Sequence, residues 1–227
     1  MRKKRRSKKK QAVLRHIIQA AFFALTNGYV RGFMEGKIYR GSLKQFCVPG
    51  LNCYSCPGAL FSCPIGSLQA VLDSGGYRIS LYVLGFLTVC GALCGRLICG
   101  FLCPFGLVQD LLYRIPLMRK IKNLPGHRLL RHLRYAVLLL LVVLLPMTVL
   151  NEAGIGSPWF CEYLCPSGTL LAGIPLAALD PVLRDAAGLR FLWKLLLLLL
   201  TMLLSVKSYR PFCKYLCPLG AFYGVLN

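Results

Sequence analysis

Two stretches of the chain are apolar over most of their length. Residues 129–150 contain YAVLLLLVVLLPMTVL, and residues 189–206 read LRFLWKLLLLLLTMLLSV. A hydrocarbon core of about 30 Å takes roughly 20 mainly apolar residues in a helix, so both predict membrane-spanning helices. A third stretch, residues 79–100, reads ISLYVLGFLTVCGALCGRLICG and carries only Arg96 as a charge. The fourth, residues 14–34, is weaker, with Arg15 near its start and Arg31 near its end. Its alternative is a helix lying flat in the interface. The expected fold is an all-α membrane protein, a single domain over residues 1–227, with four transmembrane helices in two pseudo-repeated pairs.

Charge supports four crossings. The chain holds 28 Lys and Arg against 7 Asp and Glu, a formal net charge of +21, and 56% of its residues are hydrophobic. Such a basic excess ordinarily suggests nucleic acid. Here the apolar runs are too long for a soluble nucleic-acid binder, and the apolar content is too high for a disordered chain. With both termini inside, the arm 1–10, the connection from Asp110 to Arg134 and the tail after Val206 carry 18 Lys and Arg; the outward connections carry 6. That is the cytoplasmic bias of membrane proteins, and the basic arm suits anionic lipid. The expected location is the bacterial cytoplasmic membrane, with no nucleic-acid partner. No small-residue cleavage site follows the first apolar stretch, so it reads as an uncleaved helix rather than a signal peptide.

The candidate chemistry lies in the cysteines. Cys-Pro-x-Gly occurs four times, beginning at Cys63, Cys103, Cys165 and Cys217. In the last three copies another cysteine stands four residues earlier (Cys99, Cys161 and Cys213), giving CGFLCPFG, CEYLCPSG and CKYLCPLG. The first copy has Ala59 at that position and carries Cys47, Cys53 and Cys56 upstream instead. A spacing of four puts two sulfurs on one helical face. Proline fixes φ where the chain turns away, and glycine lets backbone approach a bulky group. A cysteine followed by proline also closes the bacterial ferredoxin run, so thiolate ligation of an iron–sulfur cluster is the expected chemistry. The alternatives are buried apolar cysteines, structural zinc, and disulfides among Cys47, Cys53, Cys56 and Cys63.

GRLICGFLCPFGLVQDLL and CKYLCPLGAFYG resemble the paired CxxxCP segments of the NapH/NosR-like polytopic membrane iron–sulfur proteins. The resemblance covers roughly residues 79–227 and implies [4Fe–4S] centres and electron transfer at a membrane. Many proteins of that family continue into a soluble ferredoxin domain. This sequence stops at Asn227, so that relay is absent or supplied by another polypeptide.

Topology then assigns ligands. The second and fourth helices end on the cytoplasmic side, which brings Cys99 and Cys103 together with Cys213 and Cys217 as an inner cluster. Arg96, Arg210 and Lys214 lie beside these cysteines in sequence and are expected to stabilise the cluster's negative charge, or else to anchor the helices. An outer cluster would use Cys161, Cys165, Cys63 and one of Cys53 or Cys56. Two clusters are expected, and a third is open to Cys47, Cys90, Cys94 and the unused loop thiol. Cys90 and Cys94 are the only thiols at intermediate depth, where a carrier would shorten a hop across the bilayer; packing beside Gly91 and Gly95 is their other reading. Short surface or re-entrant helices are expected after each CPxG.

The three histidines are not paired within helices, Trp159, Trp193, Tyr135 and Tyr209 fit an interfacial belt, and no nucleotide-binding or hydrolase motif occurs. The expected function is relay of single electrons between a cytoplasmic carrier (ferredoxin or a flavoprotein) or a quinol and a partner at the outer face. The protein would act as a subunit of a membrane oxidoreductase. A redox sensor or a metalloenzyme assembly factor is the alternative, and a zinc- or disulfide-stapled scaffold a third.

Overall fold

The computed structural model describes residues 2–72, 81–116, 120–121, 126–149, 156–179, 181 and 188–226, with no description of the side chains of residues 2–9 and of Arg96. Among the described residues all regular elements are helical, and isolated bridges pair Cys47 with Ser62 and Ile121 with Ser208.

Helix α1 runs from Arg2 to Thr26, so the basic arm and the first apolar stretch form one helix. The expected crossing over 14–34 is interrupted. Thr26 Oγ1 donates to the Phe22 carbonyl at 2.9 Å and Asn27 Nδ2 to the Phe23 carbonyl at 3.2 Å. These side-chain bonds compete with continued helix, and the chain restarts as α2, Val30–Glu35. The stretch 79–100 is also divided, into α4 (Leu81–Leu93) and α5 (Arg96–Phe101). The break falls at Gly95, whose φ of +41° a side chain would strongly disfavour.

Among the described residues two helices are long and apolar enough to cross a membrane: α7, His127–Thr148, and α10, Leu189–Lys207. Helix α7 widens into a π-helical stretch over Leu138–Leu144, just before Pro146. Between α2 and α4 lies α3, Pro64–Leu72, and after α5 comes α6, Pro104–Arg114. The short π-helical turn α8, Phe160–Leu164, is followed by α9, Pro166–Leu179. The chain then passes through α11, Pro211–Tyr215, to α12, Pro218–Leu226.

Each CPxG proline therefore opens a helix (α3, α6, α9 and α12), as the motif predicts. Proline suits the first helical position because its missing N–H would have no partner there. Helix α12 packs against α4 and α7, α10 runs along α6 and against α8 and α9, and α1 lies against α5 and α6. The core they enclose includes Leu51, Ile65, Leu87, Val142, Phe160, Phe212, Leu219 and Tyr223, each at most 2% exposed. The outside is apolar as well: Leu192, Leu196, Leu199 and Leu203 of α10, Leu139, Leu140 and Leu144 of α7, and Leu81, Val89 and Leu93 of α4 are all exposed.

Candidate metal centres

The repeated motif has a local logic. Cys103 and Cys165 occupy the position just before their helices, with extended backbone. The glycine three residues on donates its N–H to the sulfur: Gly168 to Cys165 Sγ and Gly220 to Cys217 Sγ, both at 3.4 Å. This is an N-cap with sulfur in place of oxygen. Free N–H groups and the helix dipole there favour negative charge, which suits a thiolate ligand. The spacing of four does not lie on one continuous helix as expected. Cys99, Cys161 and Cys213 lie within α5, α8 and α11, and their partners stand just before the next helix. Each pair straddles a helix break, so both sulfurs turn toward the same side from separate elements.

The structure brings Cys99, Cys103, Cys213 and Cys217 around one cavity of about 180 Å³, walled also by Leu51, Arg134, Leu219 and Gly220. Phe105 of one motif packs edge-on against Phe212 of the other at 5.3 Å, closing the two segments together. Burial pushes the Cys213 and Cys217 thiols up from their ordinary range.

A second cavity of about 380 Å³ gathers Cys53, Cys63, Cys161 and Cys165, with Leu51, Glu162, Gly168 and Lys194 in its walls. The structure thus selects Cys53 over Cys56. Gly66 and Gly168 leave the floor open: a Cβ at Gly66 would lie 3.9 Å from Cys161 Sγ, and one at Gly168 would lie 3.7 Å from Cys53 Sγ. Burial pushes the thiols of Cys53 and Cys63 up to about 12, so without a metal they stay protonated at neutral pH. Loading either cavity with iron must release those protons.

Among the described residues no three or more of His, Cys, Asp and Glu close on a point that could hold a single metal ion. Each cavity instead has four cysteines in its walls, the number of thiolates that a [4Fe–4S] cluster takes. All twelve cysteines are free of disulfides.

Cys47, Cys56, Cys90 and Cys94 line neither cavity. Cys47 Sγ lies 3.6 Å from the Ser67 hydroxyl, Cys56 accepts backbone N–H bonds from Gly58 and Ala59, and Cys94 is exposed just after α4, which carries the half-buried Cys90. The geometric reason for a carrier at their depth also disappears. Leu51, 2% exposed, belongs to both cavity walls. The expectation of clusters a bilayer apart is thereby replaced by two sites lying side by side. The loop at Pro49–Leu51 wedges between the motifs. A Cβ at Gly50 would stand 3.4 Å from Cys103 Cα, while Ser167 Oγ donates to the Leu51 carbonyl at 3.3 Å and Tyr223 Oη to the Pro49 carbonyl at 3.0 Å.

The basic residues are redistributed. Arg210 is buried and does more than supply charge: Nε donates to Asp110 Oδ1 at 2.7 Å, Nη1 to the Cys99 carbonyl at 2.6 Å, and Nη2 to Asp110 Oδ2. Burial opposes its charge, but the bonds to Asp110 outweigh this and hold the guanidinium protonated. It sits at a φ of +47° directly before Pro211, a conformation that α6 and α5 must hold in place. Arg15 of α1 reaches the same carboxylate at 2.9 Å. Lys214 stacks 5.4 Å over the Tyr215 ring and is not in the cavity wall. The side chain of Arg96 lies outside the described residues.

The wall residue that sequence reasoning missed is Arg134, 9% exposed, whose Nε is buried without a hydrogen-bond partner at the inner cavity. It was counted only as a loop charge. Two glutamines were missed as well. Gln109 Nε2 donates to Cys213 Sγ at 3.4 Å, and Gln69 Oε1 accepts from Cys161 Sγ at 3.1 Å. A signal was present, because both stand six residues after the CPxG cysteine, in CPIGSLQ and CPFGLVQ.

Comparison with known proteins agrees with this chemistry. An uncharacterized protein of Methanocaldococcus jannaschii is 28% identical over 95% of this chain and 71% of its own length. A second uncharacterized protein of that organism is 32% identical over 42% of this chain and 45% of its own length. No solved structure matches. A family model described as a 4Fe-4S binding domain matches residues 76–125, 133–175 and 190–227, each stretch containing one CxxxCPxG copy. With more than half of its residues so matched, and its thiols gathered around cluster-sized cavities, the chain belongs to the 4Fe-4S binding domain family.

Proposed function

We propose that the protein is a membrane-bound electron carrier of the NapH/NosR-like kind that passes single electrons through two [4Fe–4S] clusters. Cys99, Cys103, Cys213 and Cys217 would hold one cluster, and Cys53, Cys63, Cys161 and Cys165 the other. The clusters supply the one-electron chemistry. The chain supplies thiolates, four of them just before helix starts, backbone N–H groups on sulfurs that include Cys165 and Cys217, and largely apolar walls.

The observation that carries this reading is the common wall at Leu51. A sensor or an assembly factor needs one cluster, whereas two cavities a single side chain apart make a relay. Membrane residence is supported by the exposed leucine rows on α7 and α10, which in water would form an apolar surface far beyond that of a soluble monomer. Both termini inside the cell, and a partner of the ferredoxin, flavoprotein or quinol class, fit the basic arm and the apolar exterior.

Purification without oxygen, with iron and acid-labile sulfide analysis, tests the reading: about eight of each per chain are expected for two cubes. Substituting Cys217→Ser should abolish one of two EPR signals in the reduced protein. Iron near zero, or a spectrum unchanged by that substitution, would end the proposal.

A further inference from the structure

The two cavities are built from the same motif, but the residue six positions after the CPxG cysteine is turned opposite ways in them. In the inner cavity Gln109, 1% exposed, donates Nε2–H to Cys213 Sγ. In the outer cavity Gln69, fully buried, uses its Nε2 on the Leu141 carbonyl at 3.0 Å, which leaves Oε1 facing Cys161 Sγ. Cys161 and Cys213 are equivalent first cysteines of CEYLC and CKYLC. As a thiol, Cys161 can donate to that carbonyl oxygen. As a cluster thiolate it has no proton to give, and the bond to Leu141 prevents the amide from turning over.

Each wall also carries a cation. The inner wall carries the buried Arg134, whose Nε has no other partner, and no acidic residue. In the outer wall Lys194 is that cation, and Glu162 is paired with Arg190 at 2.7 Å. Reduction adds one negative charge to a cluster. Hydrogen bonds to sulfur and nearby cations stabilise that charge, and facing carbonyl oxygens and carboxylates oppose it.

We infer that the two clusters are poised at different potentials, the inner one higher, with Gln109, Arg134 and Gln69 as the tuning residues. This rests on the two-cluster reading above. With both clusters bound, an electron on the outer one would move past Leu51 to the inner one: the outer would be oxidised by one electron and the inner reduced by one, with no bond formed or broken. The relay has a built-in direction, from the Cys161 site toward the Cys213 site.

The test is an EPR-monitored redox titration of the full chain in detergent under anaerobic conditions. Cys217→Ser and Cys165→Ser assign each signal to its cavity. The inner signal is expected to be reduced first, at the higher potential. Gln109→Leu should lower the inner midpoint and leave the outer one in place. Gln69→Leu should raise the outer midpoint and leave the inner one in place. Opposite signs at equivalent positions are not produced by general loosening of the fold. An outer signal at equal or higher potential, or shifts of the same sign in the two variants, would overturn the inference while leaving two clusters intact. Should Gln109→Leu fail to assemble the inner cluster, the order of the two wild-type midpoints decides. Absence of cluster signals from the wild type would instead overturn the function itself.

Discussion

The inner and outer sites use one motif in two settings. The inner site closes between two full CxxxCPxG copies, each at the end of an apolar helical segment, and all four of its cysteines fall within the stretches matched by the family model. The outer site takes only Cys161 and Cys165 from such a copy. Its other two thiols, Cys53 and Cys63, come from a loop that lies outside those stretches. The motif sets what a cysteine can do locally, as a helix-start sulfur with a proline behind it. Which four meet depends on what holds the segments. Inside, that is the buried Arg210–Asp110 pair with its bond to the Cys99 carbonyl. Outside, it is the N-terminal helices: the Tyr29 N–H bonds the Gly58 carbonyl, the Leu60 N–H bonds the Thr26 carbonyl, and Gly32 lies directly under Pro57.

This contrast can be broken from either side. The largest effect is expected from Cys63→Ser, which should remove about half of the iron and eliminate only the outer EPR signal. Equal loss of both signals would show that the sites assemble as one unit. Next comes Asp110→Asn, which leaves Arg210 buried without its counter-charge. A cost of about 3–5 kcal/mol is expected, read as a lower midpoint for thermal loss of cluster absorbance, with the inner signal lost first. Gly32→Ala should act in the opposite place. Its new methyl would meet the Pro57 carbonyl, and forcing that backbone aside costs about 1–3 kcal/mol. Reduced occupancy of the outer site with the inner intact is the expected result. The smallest effect belongs to Cys94→Ser, an exposed position just after α4, with a stability change within about 0.5 kcal/mol and iron content unchanged. A loss of iron there would revive a third cluster at Cys90 and Cys94.

Much of the inner site was legible in the sequence. Cys99, Cys103, Cys213 and Cys217 could be paired from helix ends alone, because a repeated motif at the same end of two apolar helices leaves few alternatives. The helices starting at Pro64, Pro104, Pro166 and Pro218 were legible for the same local reason. The choice of Cys53 over Cys56 was not, since only Tyr54 and Ser55 separate them and the turn of the loop alone decides which sulfur faces Cys165. Arg134 was hidden among seven basic residues of one connection, and its role depends on a side chain lying past Gly224 into a cavity formed by other helices. The separation of the clusters was misjudged because helix ends were placed at membrane faces, whereas the Pro49–Leu51 loop draws both sites toward a common wall.

Local chemistry was therefore determined by the sequence itself: thiol, proline and glycine at fixed spacing produce a capped helix start wherever the motif occurs, because the interactions involved span three or four residues. Partnership and distance between the sites were decided only by the tertiary structure. Those depend on contacts such as Gln109 with Cys213 and Arg210 with Asp110, whose members lie about a hundred residues apart and meet only after the helices have packed.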